Sequence, residues 1–221
     1  MKEGLSLVTL RNAATIAILL AATACARAGD VDVSGGVGIT AIRSACPAVG
    51  LPAGTGDVTL FDPPARRDAA AIDLTATMTN VRGQCADVGA DVVTTITFDV
   101  RARRTRTEAP RNVQIPYFIT VLRGGSQVVT KRVATVALHF DAGQSLATAT
   151  GQGTAAVSRA AATLPDDVRE KLTRRRKAGD ADAALDPLAT PEVRQAVLSA
   201  TFEALVGFQL TQDQLRYNAT R

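Results

Sequence analysis

The 221-residue sequence predicts a mainly β fold, an antiparallel β-sandwich with α-helices packed on it at the C-terminal end. Three observations predict it. Apolar and polar residues alternate in run after run between residues 57 and 158, turn-forming residues separate those runs, and near residue 160 the apolar period lengthens to that of a helix. Side chains on a strand point to opposite faces in turn, so strict alternation marks a strand with one face buried.

"GGVGITAI" (35–42) and "GDVTLF" (56–61) are the first two expected strands. "AIDLTATMTNV" (71–81) is a third, with Ile72, Leu74, Ala76 and Met78 facing inward and Asp73, Thr75, Thr77 and Thr79 outward. "VTTITFDVRARR" (93–104) repeats the pattern, with Ile96, Phe98, Val100 and Ala102 inward and Thr95, Thr97, Asp99, Arg101 and Arg103 outward. "NVQIPYFITVLRGGSQVVTKRVATVALHF" (112–140) reads as a hairpin turning at Arg123-Gly124-Gly125-Ser126, because glycine accepts the positive φ of tight hairpin turns. Its first strand buries Val113, Ile115, Tyr117, Ile119 and Val121, and its second Val128, Ala134, Val136, Leu138 and Phe140. Pro116 has no N–H to give to a ladder, which predicts an edge strand or a bulge. "QSLATATGQGTAAVSR" (144–159) is a weaker strand, broken at Gly151 and Gly153. About seven strands over 35–158 resemble the immunoglobulin and fibronectin type III domains in number and size. The resemblance implies architecture alone, since the chain has no Trp and Cys85 stands in the turn-like "VRGQCADVG".

Helices are expected beyond residue 159. "TLPDDVREKLTRRRKAG" (163–179) has Thr163 as cap, Pro165 early, Asp166 and Asp167 in its first turn and a basic tail, an order that complements the helix dipole. Its apolar face is thin, made of Leu164, Val168 and Leu172. "GDADAALDPLA" (179–189) is a polar connector. "TPEVRQAVLSATFEALVGF" (190–208) predicts a long helix capped by Thr190, opened by Pro191 and ended by Gly207, its wide apolar stripe suited to docking on a sheet. Thr211 and Gln214 have the spacing of a capping box for a last short helix through Tyr217. The expected division is a signal peptide at 1–24, a tether at 25–34, the sandwich at 35–158 and a helical segment at 159–221.

The leader carries Lys2 and Arg11 ahead of an uncharged, alanine-rich run of 13 residues, 12–24. That run is too short to span a bilayer, which takes about 20 residues, and suits a secretory signal peptide. Ala21-Ala22-Thr23-Ala24-Cys25 resembles a bacterial lipobox, although Ala22 stands where such sequences usually carry Leu. The resemblance implies an envelope lipoprotein whose Cys25 is acylated, and Ala26 in place of Asp implies the outer membrane, facing the periplasm. Ala22-Thr23-Ala24 and Ala26-Arg27-Ala28 also fit ordinary signal peptidase, which leaves a soluble periplasmic protein as the alternative.

With Cys25 acylated or removed, Cys46 and Cys85 remain as an even pair, expected to form a disulfide in an oxidising compartment. The alternative is two buried thiols. Counted from Cys25, 23 basic and 20 acidic side chains give a mild charge that points away from nucleic acid. The chain is poor in aromatic residues, at 4 %, which weakens any sugar-binding reading. His139, the only histidine, is expected to be an exposed strand residue, and no Gly-x-Ser-x-Gly motif accompanies it. No metal-ligand spacing or cofactor motif is present, so no metal and no cofactor are expected. Scattered aspartates such as Asp57, Asp62, Asp68 and Asp73 read as turn residues. Arg101, Arg103, Arg104, Arg106 and Arg111 gather where one strand ends and the next begins, either as a charged edge that resists aggregation or as a contact for an envelope protein or anionic lipid. The resulting expectation is a non-enzymatic binding or assembly module of the cell envelope. The alternative from another class is an exported hydrolase whose site forms only on folding.

Overall fold

The computed structural model describes residues 44–177 and 179–220. The leader, the tether and the strand expected at 35–42 lie outside the described residues. The chain divides into two compact units, one of residues 1–38 and 175–184, the other of 39–174 and 185–221. The described part of the first is a tight turn, in which the Lys177 amide donates to Asp180 Oδ2 at 2.8 Å and Arg176 pairs with Asp182 at 3.4 Å.

The second unit is mainly β. Its strands are β1 (Ala48–Gly50), β2 (Asp57–Phe61), β3 (Ile72–Val88), β4 (Asp91–Arg104), β5 (Arg111–Arg123), β6 (Gln127–Phe140), β7 (Leu146–Ser158) and β8 (Phe202–Phe208). They form two four-stranded sheets, ordered β1-β8-β5-β6 and β2-β3-β4-β7. All neighbours are antiparallel except β1 and β8, which run parallel over three residue pairs. The inward faces meet in one core. Leu74, Ile96, Val100, Leu138, Phe140 and Val206 are buried there, with Phe98 edge-on to Tyr117 at 4.9 Å between ring centroids. Tyr117 satisfies its hydroxyl by donating to the Gln152 carbonyl at 2.7 Å, and burial raises its pKa.

The inward residues of β4 and β5 are those that the alternation marks. Gly124 and Gly125, at φ 62° and 78°, make the turn between β5 and β6. Four expectations are corrected. Pro116 lies on a central strand rather than an edge, and although β5 does carry a register irregularity, it falls between Val121 and Leu122 and not at Pro116, whose carbonyl accepts from Gln209 just past the end of β8, so the missing N–H falls where that ladder stops. Gly151 and Gly153 do not break β7; they leave room for the Phe98 ring and the Ile119 side chain, which press where a Cβ would stand. Cys85 is in β3, not in a turn, because β3 and β4 stay paired to Val88 and Asp91 beyond a bulge between Thr79 and Arg82. Val128 and Ala134 are exposed, since only the second half of β6 covers the core.

The largest correction is β8. The expected helix at 190–208 ends at Ser199, and Phe202–Phe208 instead forms a strand between β1 and β5. Phe202, Ala204, Val206 and Phe208 alternate into the core, and Gly207 is buried within the strand rather than at a helix end. The sandwich therefore extends past residue 158, and the segment from 159 onward is not wholly helical.

Among the described residues four α-helices accompany the strands: α1 (Arg159–Ala162), α2 (Asp166–Thr173), α3 (Pro191–Ser199) and α4 (Gln212–Thr220). Thr163 does not cap α2; it follows α1, and its hydroxyl donates back one turn to the carbonyl of Arg159, the first residue of that helix. Pro191 opens α3 as expected, though the Thr190 side chain makes no capping bond. The apolar faces of α2 and α3 form a cluster of their own, Val168 and Leu172 with Val193 and Val197, rather than entering the sandwich core. α4 has the reciprocal capping box, with the Thr211 amide donating to Gln214 Oε1 at 2.8 Å and the Gln214 amide donating to Thr211 Oγ1 at 3.3 Å. It reaches β2 through Tyr217, edge-on to Phe61 at 5.1 Å, and through Asn218, which donates to the Gly54 and Asp57 carbonyls.

Candidate functional site

Cys46 and Cys85 are joined in a disulfide with a Cα–Cα distance of 6.0 Å. The bond ties the segment entering β1 to β3 in the opposite sheet. Beside it the Val49 side chain occupies the space that Gly83 leaves open. Cys25 lies outside the described residues.

The five arginines do not act as one patch. Arg104, though at the end of an exposed-looking basic run, is 3 % exposed. Its guanidinium donates to the carbonyls of Gln144, Ala109 and Asp141 at 2.7–2.8 Å and lies over the Phe140 ring, so it organises the loops that close this end of the sandwich. Arg111 grips Asp73 in a two-pronged pair at 2.9 and 2.8 Å. Arg106 bridges Asp73 and Asp62. Asp73, expected outward, is 6 % exposed under these cations. Hydrogen bonding to Arg111 holds its carboxyl below the usual range, with desolvation opposing, and Arg111 is raised in return. Arg101 and Arg103 alone of the five stand on the outer face of β4, flanked by Thr77 and Thr148 and by Thr75 and Leu146.

His139 is exposed on β6. Both ring nitrogens are engaged, Nδ1 with Asn112 Oδ1 at 2.7 Å and Nε2 with Asp141 Oδ1 at 3.2 Å. Among the described residues no group of three His, Cys, Asp or Glu side chains is placed to hold a metal ion. Among them, too, no helix is long and apolar enough to cross a membrane.

Among the described residues, one edge of a sheet stands uncovered, that of β6. β6 is the last strand of its sheet, and residues 127–135 are exposed on both faces. The Pro116 carbonyl points to β8, so Phe118, two residues on, does likewise, and its partner Val133 turns N–H and C=O away from β5. The same parity frees the backbones of Lys131 and Thr135. Val128, Val129 and Val133 are 61 %, 49 % and 57 % exposed along this edge. At its N-terminal end β6 borders a cleft of about 410 Å³, lined on its apolar side by Val128, Val129, Val157, Ala161 and Phe202. A second cleft of about 360 Å³ lies across Arg123, against Gln195, Leu198 and Ser199. Arg123 and Gln127 line both. The hairpin Arg123-Gly124-Gly125-Ser126 is legible in the sequence, but the cleft beside it is assembled from β7, α1, α3 and β8 and has no local signature.

The chain matches no protein-family model, no curated protein and no solved structure.

Proposed function

We propose that this protein is an exported envelope lipoprotein, anchored through acylated Cys25, that acts as a non-enzymatic binding or assembly module by accepting a partner strand on the free edge of β6. The observation that carries the binding reading is the double-sided exposure of residues 127–135, with unpaired backbone groups and three exposed valines on one edge. An edge of this kind offers main-chain hydrogen bonds to an extended segment, while side-chain pockets supply selectivity. The lipobox-like stretch ending at Cys25 and the Cys46–Cys85 disulfide support export. The outer membrane, facing the periplasm, is the proposed location.

The strand connections support a variant of the immunoglobulin and fibronectin type III arrangement. β3, β4 and β7 share one sheet and β5, β6 and β8 the other, with the chain changing sheets after β4, β6 and β7. In this reading β1, parallel to β8, occupies the place of the usual last strand.

Two measurements test the proposal. Intact mass from the native host's membrane fraction is expected to begin at Cys25 and to include acyl chains; an unmodified chain in the soluble fraction overturns the anchor. A photo-crosslinking residue placed at Val133 is expected to capture a protein in that host, whereas one at Thr95, on the outer face of β4, is not. Capture at neither position, or at both alike, overturns the edge as the binding surface.

A further inference from the structure

Resting on the β6 edge as the docking surface, we infer that Arg123 is the specificity determinant of that site, and that the partner segment carries an acidic side chain there. Arg123 is half-buried where the two clefts meet. Its Nε donates to the Ser199 carbonyl at 2.5 Å and its guanidinium lies 5.8 Å from the centroid of the Phe202 ring. These contacts fix the plane of the fork. Among the described residues no acceptor meets its two terminal nitrogens, and no acidic side chain lines either cleft. A guanidinium held by one nitrogen, with its other donors open into clefts of mixed polar and apolar lining and no acidic side chain, matches a carboxylate.

The charge along β6 selects the same occupant. From Gln127 to Phe140 the strand carries Lys131 and Arg132 and no acid. A second copy paired antiparallel about a two-fold axis at Lys131 or Arg132 would bring those cations against their own counterparts, an unfavourable cross-strand arrangement. In an extended segment of a different protein, acids that alternate with apolar residues share one face with Arg132 and Arg123, and the apolar residues share the other with Val133. One of the segment's carboxylates enters the cleft beside Phe202 and reaches Arg123.

The test uses the full chain in detergent and two labelled probes, acetyl-Val-Asp-Val-Asp-Val-Asp-Val-amide and the same peptide with Asn at every Asp. Binding is read by fluorescence anisotropy. The Asp peptide is expected to bind at least tenfold more tightly than the Asn peptide, as charge-assisted hydrogen bonds imply. Arg123→Gln is expected to bring the two affinities together. Gln127→Glu, an isosteric change at an exposed position that offers Arg123 a partner of its own, is expected to do the same without disturbing the Ser199 contact. Val133→Pro, which removes an outward N–H and leaves the β5 ladder intact, is expected to weaken both peptides. Equal affinity of the two peptides, both weakened by Val133→Pro, overturns the role of Arg123 while the edge reading stands. Binding that ignores Val133→Pro, or no binding at all, overturns both. A dimer that forms in the absence of peptide and is lost in Val133→Pro assigns the edge to a second copy and overturns the acidic partner.

Discussion

A single carboxylate, Asp73, holds down the end of the sandwich where two arginines converge. It is nearly excluded from water, and Arg111 meets it with both terminal nitrogens. Asp73→Asn keeps the shape and removes the charge, so it is expected to lower unfolding stability by about 2 kcal/mol at neutral pH. Because the folded-state pKa of Asp73 is depressed, this stabilisation is complete above the ordinary carboxylate range and is lost as pH falls through the depressed value. Urea titrations are therefore expected to show a gap between parent and variant at pH 7 that closes under acid. A gap that persists at low pH would locate the effect in packing. Gly151 is a second position where one atom decides. A methyl there meets the ring of fully buried Phe98, whereas at Gly153 it meets mainly the flexible end of Ile119. Gly151→Ala is expected to cost about 1–3 kcal/mol and Gly153→Ala less, a ranking that thermal melts check. Neither Asp73 nor Arg104 is legible locally, because what buries each comes largely from distant parts of the chain: Arg111 lies 38 residues from Asp73, and the Gln144 and Asp141 carbonyls 40 and 37 from Arg104.

At the scale of elements, legibility follows the cleanness of the period. β3, β4 and β5 put threonines, arginines or other polar residues opposite apolar ones, and their alternation fits a helix poorly. "FEALVGF" fits both periods. Phe202, Ala204, Val206 and Phe208 make a strand face, while Phe202, Leu205 and Val206 lie close on a helix, and the preceding helix invites continuation. Pairing with β5 over seven residues settles the choice by a partner that the local sequence does not contain. β1 is the opposite case, three residues with little pattern of their own, placed by their parallel pairing with β8 and by the disulfide beside them. Cys46→Ser, or reductant, is expected to lower stability by up to about 3.9 kcal/mol, the chain-entropy value for a 39-residue loop. Equal melting temperatures with and without reductant would remove that role from the disulfide.

For the whole molecule, the two-sheet architecture and the pairing of Cys46 with Cys85 follow from sequence reasoning, while the limits of the sandwich do not. A strand from beyond residue 200 sits at the centre of one sheet, so removing the segment after 158 is expected to abolish folding rather than release a stable domain; soluble expression of residues 1–158 with a cooperative melt would contradict this. The proposed binding surface is likewise a property of the assembled molecule. Arg123 sits in a recognisable turn, but its place between two clefts, with two nitrogens that meet no acceptor among the described residues, exists only once β7, α1, α3 and β8 have come together around it.

The covalent bond at Cys46 also sets how the molecule bears load. Tension applied to the chain ahead of Cys46 would, without that bond, reach β1 first, and a three-residue ladder would peel from β8 one pair at a time. With it, the line of force passes from Cys46 to Cys85 and into β3, which is laddered to β4 over thirteen pairs. Under the anchoring proposed at Cys25, a pull between that end and the β6 edge would therefore leave the first strand in place.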